Sequence, residues 1–188
     1  TSRDDDTYGG ATATSDSAPA AGDWGRIIAT SGTSNLDFDH AIVTYGGFIT
    51  NMIQVSGGAD ADINSSIIEY SNSHAIIVGG NTSSLIVANS TIRNNYDVGI
   101  GITSSAPANI QGSTFTGNTR GISADTPADE ANITITGNNF YANNSTSGSV
   151  KAGIQYADTG TLAAENNWWG SASGPTTIDN DGDATRDA

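Results

Sequence analysis

The residues best suited to hold a metal cluster near the C-terminus. Asp179, Asp181, Asp183 and Asp187 stand at the first, third, fifth and ninth positions of a calcium-loop pattern, in which alternating carboxylates converge on one hard cation. The pattern departs from a full EF-hand loop, since its sixth position is Ala184 instead of glycine and its twelfth lies past Ala188. An EF-hand is therefore excluded, and a looser Asp-rich turn taking Ca2+ is the expectation, set against a plain solvated acidic tail. Asp4, Asp5 and Asp6 pose the same choice more weakly.

Cleaving a glycosidic bond needs two carboxylates held close together, or a strong base beside cation-binding carboxylates. Asp37 and Asp39 alternate with Leu36 and Phe38, so both point outward from one strand, with Asp62 and Glu69 following one repeat later. Arg93 and Arg120 fall at different offsets within their repeats, and the two histidines, His40 and His74, sit in no recognisable catalytic phrase. No catalytic residue is assigned, and these charges read as scattered and solvated. Asn64, Asn81, Asn89, Asn132, Asn143 and Asn144 open N-x-Ser/Thr sequons and are candidate glycosylation sites, although a chain this rich in Ser and Thr generates such triplets by composition. Trp24, Trp168 and Trp169 lie near the two ends of the repeat region, where large rings would cap a core.

What positions these groups is a repeat of about two dozen residues. Val43, Ile68, Ile92, Phe115, Phe140 and Trp168 anchor successive copies at steps of 25, 24, 23, 25 and 28 residues. Five positions earlier stand Phe38, Ile63, Val87, Ile110, Ile135 and Ala163, and two earlier still Leu36, Ala61, Leu85, Ala108, Ile133 and Thr161. Ile53, Ile76, Ile100, Ile122 and Ile154 mark a third stretch. The local alternation is period two, which is strand spacing, and Gly and Asn interrupt every candidate helix. One such unit cannot bury its apolar face alone and must stack on a neighbour. The expected fold is all-β: a right-handed parallel β-helix of about six coils with 23–28 residues each. Matching positions would then form polar columns, Ala41, Ser66, Ser90, Ser113, Asn138, Asn166 and Gly46, Ser71, Asn95, Asn118, Asn143, Ser171, in which stacked amides bond along the axis. Residues 1–22 read as an irregular lead-in, 23–175 as the β-helix, and 176–188 as the acidic tail.

The chain has 188 residues, no cysteine and a net charge of −14. It can form no disulfide, so stacking must stabilise it. Its charge repels nucleic acid and anionic membranes, and no apolar run is long enough to span a bilayer as a helix. The start at Thr1 suggests a signal already removed.

Arg3-Asp4-Asp5-Asp6-Thr7-Tyr8-Gly9-Gly10, Gly22-Asp23-Trp24-Gly25-Arg26-Ile27 and Asn166-Asn167-Trp168-Trp169-Gly170 with Gly174-Pro175 resemble the pectate-lyase-like right-handed β-helix repeat proteins of bacterial and archaeal surfaces. The resemblance covers nearly the whole chain and implies a fold and an extracellular or cell-surface setting, not one activity. In such proteins both terminal phrases are flanked by further strands, so the ends here read as cut from a longer protein or completed by a neighbour. The expected role is non-catalytic: a rod, stalk or fibre module that self-associates by end-to-end stacking. A carbohydrate-binding module using outward Asp, Asn and Tyr of one sheet is the alternative, and a divergent polysaccharide lyase or hydrolase the second.

Overall fold

The computed structural model describes residues 18–125, 130–143, 152–157 and 160–172. In chain order the strands are β1 (Ile27–Ala29), β2 (Asn35–Asp39), β3 (Ile42–Thr44), β4 (Ile53–Val55), β5 (Asp60–Asn64), β6 (Ile67–Glu69), β7 (Ile76–Gly79) and β8 (Ser84–Ala88). They continue as β9 (Thr91–Arg93), β10 (Val98–Thr103), β11 (Ala108–Gln111), β12 (Thr114–Thr116), β13 (Arg120–Ala124), β14 (Ile133–Thr136), β15 (Asn139–Tyr141) and β16 (Ala152–Tyr156). Every third strand is a hydrogen-bonded neighbour, always parallel. The first sheet runs β1-β4-β7-β10-β13-β16, the second β2-β5-β8-β11-β14 and the third β3-β6-β9-β12-β15. This is a parallel β-solenoid of about five coils, with a 3-10 turn at Glu130–Asn132 as the one helical element among the described residues.

The inward residues stack as the alternation requires. Ile53, Ile76, Ile100, Ile122 and Ile154 form one column in the first sheet. Phe38, Ile63, Val87, Ile110 and Ile135 form one in the second. Val43, Ile68, Ile92, Phe115 and Phe140 form the third. Ile63, Ile92, Ile100 and Phe115 are wholly buried. Each such side chain contributes about 1.5–3 kcal/mol relative to exposure.

The last coil departs from the sequence reading by one residue. Asn139 pairs with Trp168, and Phe140 N donates to Trp168 O, which brings Trp169 opposite Phe140. Phe115, Phe140 and Trp169 form one continuous stack, with centroids 4.9 and 5.0 Å apart. Leu162, Ala164 and Trp169 pack on the core, in place of the expected Thr161, Ala163 and Trp168. Trp168 is 49% exposed. A one-residue slip exchanges the inner and outer faces, and the alternation Leu162-x-Ala164 buries more apolar surface than Thr161-x-Ala163.

Space for the rings comes from the first sheet. A Cβ on Gly121 would lie 2.5 Å from Gly153 O and 2.9 Å from Phe140 Cδ1, and one on Gly99 would lie 2.5 Å from Gly121 O. Glycine therefore stands on the strands that face the aromatic part of the third column.

Both corner columns exist. Ser66, Ser90 and Ser113 donate their backbone N–H to Ser90 Oγ, Ser113 Oγ and Asn138 Oδ1 at 3.1, 3.1 and 2.9 Å. Asn138 N donates to Asn167 Oδ1 at 2.8 Å, so Asn167, not Asn166, continues this ladder. At the other corner Ser71 N reaches Asn95 Oδ1 at 2.9 Å, Asn95 N reaches Asn118 Oδ1 at 3.1 Å, and Asn118 N reaches Asn143 Oδ1 at 3.3 Å. The residue just before each ladder position has a left-handed backbone: His40, Ser65, Asn89, Gly112, Gly137 and Asn166 at one corner, and Tyr45, Tyr70, Asn94, Gly117 and Ala142 at the other. That conformation turns the chain so that the next side chain enters the corner.

Candidate functional site

The corner between the third and first sheets gathers the charged groups of the first sheet. His74 precedes β7, Asp97 precedes β10, Arg120 opens β13 and Gln155 lies in β16, so consecutive coils bring the four together. Arg120 Nη2 donates to Asp97 Oδ1 at 2.9 Å, and Arg120 Nη1 donates to Gln155 Oε1 at 2.6 Å. Asp97 Oδ2 lies 3.3 Å from His74 Nδ1. Ser73 Oγ lies 3.3 Å from the same nitrogen.

This geometry is not that of a nucleophilic triad. A relay needs the hydroxyl and the carboxylate on opposite ring nitrogens, whereas Ser73 and Asp97 converge on Nδ1. Burial lowers the His74 pKa below 6.5, Asp97 opposes that shift and Arg120 reinforces it. Burial thus disfavours the charged imidazolium. Nδ1 is the ring nitrogen turned to Asp97 and Ser73, and Nε2 is the one turned away from them. The ring lines a hollow of about 290 Å3 with Ile49, Thr50, Asn51, Ser73 and Ile77. Phe48 and Ile49, 64% and 81% exposed, form an apolar ridge beside it. A second hollow of about 160 Å3, lined by Gly25, Arg26 and Thr50, flanks the other side of the ridge. An imidazole at the edge of such a hollow can donate or accept a hydrogen bond with a molecule seated there, according to its tautomer.

The other sequence candidates are dispersed. Asp37 and Asp62 pair in register on the outer face of the second sheet, with Asp39 beside Asn64. Glu69 faces Arg93 on the third sheet at 2.7 Å, and this hydrogen bond raises the Arg93 pKa. Arg93 and Arg120 thus occupy different sheets, as their offsets indicated. His40 contacts Asp39 at 2.8 Å on the exposed corner of the first coil. Tyr45 and Tyr70 stack with centroids 5.3 Å apart, and Tyr141 is on the third sheet, so the outward Asp and Tyr do not share one face.

Among the sequon residues, Asn143 is committed to the ladder: its Oδ1 accepts from Asn118, and its Nδ2 donates to Phe115 O at 3.0 Å. Asn64 Nδ2 donates to Asp39 Oδ1 at 3.1 Å, and Asn89 Nδ2 donates to Asn64 Oδ1 at 3.4 Å, both on the outside. Asn81 lies in an exposed turn, and Asn132 is exposed at the end of the 3-10 turn. Asn144 and the calcium candidates Asp179, Asp181, Asp183 and Asp187 lie outside the described residues. Among the described residues no three His, Asp or Glu side chains converge as a metal site would need, and no helix is long and apolar enough to cross a membrane.

Sequence reasoning missed the His74–Asp97–Arg120 cluster because offsets were counted from the third-sheet column. Counted from the first-sheet isoleucines, His74 and Arg120 both stand two residues before an anchor, Ile76 and Ile122, and Asp97 stands three before Ile100. That coincidence was the available signal.

Neither the curated proteins nor the solved structures contain a match to this chain. The family model described as right handed beta helix region matches residues 26–185, in agreement with the stacked parallel sheets, and the chain belongs to that family.

Proposed function

We propose that this chain is a non-catalytic structural module, a rod or stalk segment of an extracellular surface protein of the pectate-lyase-like type. The observation that carries this reading is the continuity of the inner columns and of both polar ladders from coil to coil. Buried Ser90, Ser113, Asn95, Asn118 and Asn138 each accept a backbone N–H from the preceding coil and so hold one coil to the next. The cross-coil cluster supports the same reading, because Arg120 links Asp97 of the coil before it to Gln155 of the coil after it. Electron microscopy of the native material tests it: elongated particles are expected. Incubation with acidic and neutral glycans, with and without calcium, should release no unsaturated or reducing ends. Product that disappears in His74→Ala would overturn the reading.

Glycans on the exposed sequons, at Asn81 foremost, and Ca2+ on the acidic tail belong to this proposal. Mass spectrometry of the natural protein and calorimetric titration of the full chain with CaCl2 test them. At Asn143 the amide nitrogen donates to Phe115 O and the oxygen accepts from Asn118, so a glycan there would have to share or displace the ladder bonds.

One observation favours a second reading, a carbohydrate-binding or adhesive module. The hollow beside His74 combines apolar walls from Ile49 and Ile77 with an imidazole able to hydrogen-bond a hydroxyl. A glycan array without hits would dispose of it.

A further inference from the structure

Of the three arginines among the described residues, two face a carboxylate and one does not. Arg93 Nε donates to Glu69 Oε2 at 2.7 Å, and Arg120 Nη2 donates to Asp97 Oδ1 at 2.9 Å. Arg26, exposed just before β1, bonds neutral oxygens: its Nη1 donates to Gln54 Oε1 at 2.8 Å and to Thr50 Oγ1 at 3.2 Å. Those two bonds use both hydrogens of Nη1 and fix the guanidinium against β4 and the corner leading into it. Its other edge, where Nε and Nη2 present parallel N–H groups, makes no ion pair among the described residues. That edge is the geometry that takes a carboxylate through two bonds at once. Asp23, the acid nearest in sequence, turns its Oδ2 to Ala20 N at 2.8 Å.

The corner beside this edge is longer than its counterparts. Ser71 and Asn95 stand five residues before Ile76 and Ile100, whereas Gly46 stands seven before Ile53. The longer corner carries Phe48 and Ile49 outward, leaving them largely exposed. With Gly25, Arg26 and Thr50 they wall the hollow of about 160 Å3. An apolar cavity of about 150 Å3 holds a benzene ring, so one side chain fits here. No Asp or Glu lines this hollow or the one beside His74. An arginine next to exposed apolar side chains is the composition of an interface hot spot.

We infer that this corner is a binding site for an acidic peptide segment of a partner protein. One carboxylate of the segment takes the Nε–Nη2 edge of Arg26, and a neighbouring apolar side chain lies in the hollow against Phe48 and Ile49. The charge of the remaining surface selects a single carboxylate. A polyanionic glycan, an anionic bilayer or a second copy of this chain would bring many negative charges against a net charge of −14 and is repelled. This goes beyond the structural-module reading, and a rod segment can carry the contact. Microscopy that overturned that reading would leave it standing.

Amide NMR titration of the isotope-labelled full chain tests it, with acetyl-phenylalanyl-aspartyl amide as the probe, to about 10 mM because a lone dipeptide binds in the millimolar range. Shifts at Gly25, Arg26 and Phe48 to Thr50 are expected. The asparaginyl analogue of the probe, and the Arg26→Gln variant with the original probe, should each bind at least about tenfold more weakly. Arg26→Lys keeps the charge without the two-bond edge and should fall between. Absence of shifts at those residues, or equal affinity for the two probes, would overturn the inference. So would tighter binding of a glucuronate oligosaccharide at the same amides, or a concentration-dependent dimer that Arg26→Gln abolishes in sedimentation. Arg26 is exposed, so its variants should keep the strand circular dichroism. Should one fail to fold, the comparison of the two probes on the unaltered chain decides.

Discussion

Replacing Asn118 with Ala should be among the most damaging single changes in this protein. Asn118 is fully buried, and its side chain serves neighbours on both sides. Its Oδ1 accepts from Asn95 N at 3.1 Å and from Asn95 Nδ2 at 2.9 Å, while its Nδ2 donates to Ile92 O at 3.0 Å. Truncation strands the Asn95 N–H and the Ile92 carbonyl away from water. An unsatisfied buried group costs about 1–3 kcal/mol, so the pair costs roughly 2–5 kcal/mol. Against a total stability of about 5–15 kcal/mol that is a large fraction. Urea denaturation followed by circular dichroism reads it directly. With a slope of about 2 kcal/mol per molar urea, the midpoint falls by roughly 1–2.5 M. Asn118→Ser, which keeps an oxygen of the kind used by Ser90 and Ser113, should lose about half as much. Asn139→Ala is the control, because its outward amide makes only an exposed 3.4 Å contact to Thr114 and its loss should cost under about 0.5 kcal/mol. Equal midpoints for Asn118→Ala and Asn139→Ala would refute the idea that the ladder holds the coils together.

Gly121→Ala should destabilise by about 1–3 kcal/mol through overpacking against Gly153 O and the Phe140 ring, seen as a lower thermal midpoint. Trp169→Ala should cost about 2 kcal/mol or more and Trp168→Ala under about 1 kcal/mol, and the reverse ranking in denaturant titrations would contradict the placement of the last coil. His74 has a folded pKa below its unfolded value near 6.5, so the unfolded chain binds the proton more readily. Its contribution is therefore intact above pH 6.5 and is lost as pH falls through the folded pKa. NMR titration of its ring protons should give a midpoint below 6.5, and His74→Gln should flatten that part of the stability profile.

The solenoid was legible because its signal is repeated: an isoleucine recurring at Ile53, Ile76, Ile100, Ile122 and Ile154 has few readings other than a column. The ladders were legible for the same reason at Ser90, Ser113, Asn95 and Asn118. The final coil was not, because Asn166-Asn167 and Trp168-Trp169 offer two registers with identical chemistry, and only burial of Leu162 over Thr161 separates them. The left-handed tyrosines were hidden too: Tyr45 and Tyr70 carry no sequence mark of positive φ, and cross-coil ring stacking accompanies a conformation that ordinarily favours glycine or asparagine. The His74–Asp97–Arg120 strut joins residues 23 apart, Asp97 to Arg120, through contacts that exist only once coils lie in register.

Because corresponding residues of successive coils carry interchangeable backbone bonds, the length of this solenoid comes in whole steps. Cutting between Ser65 and Ser66 and rejoining at Ser90 would delete one turn, bring β5 beside β11 and β3 beside β9, and shorten the molecule by one strand spacing of about 4.8 Å. Gain or loss of such turns changes how far the two ends stand apart while leaving each end's own chemistry untouched. Reach can therefore evolve separately from whatever the ends are attached to.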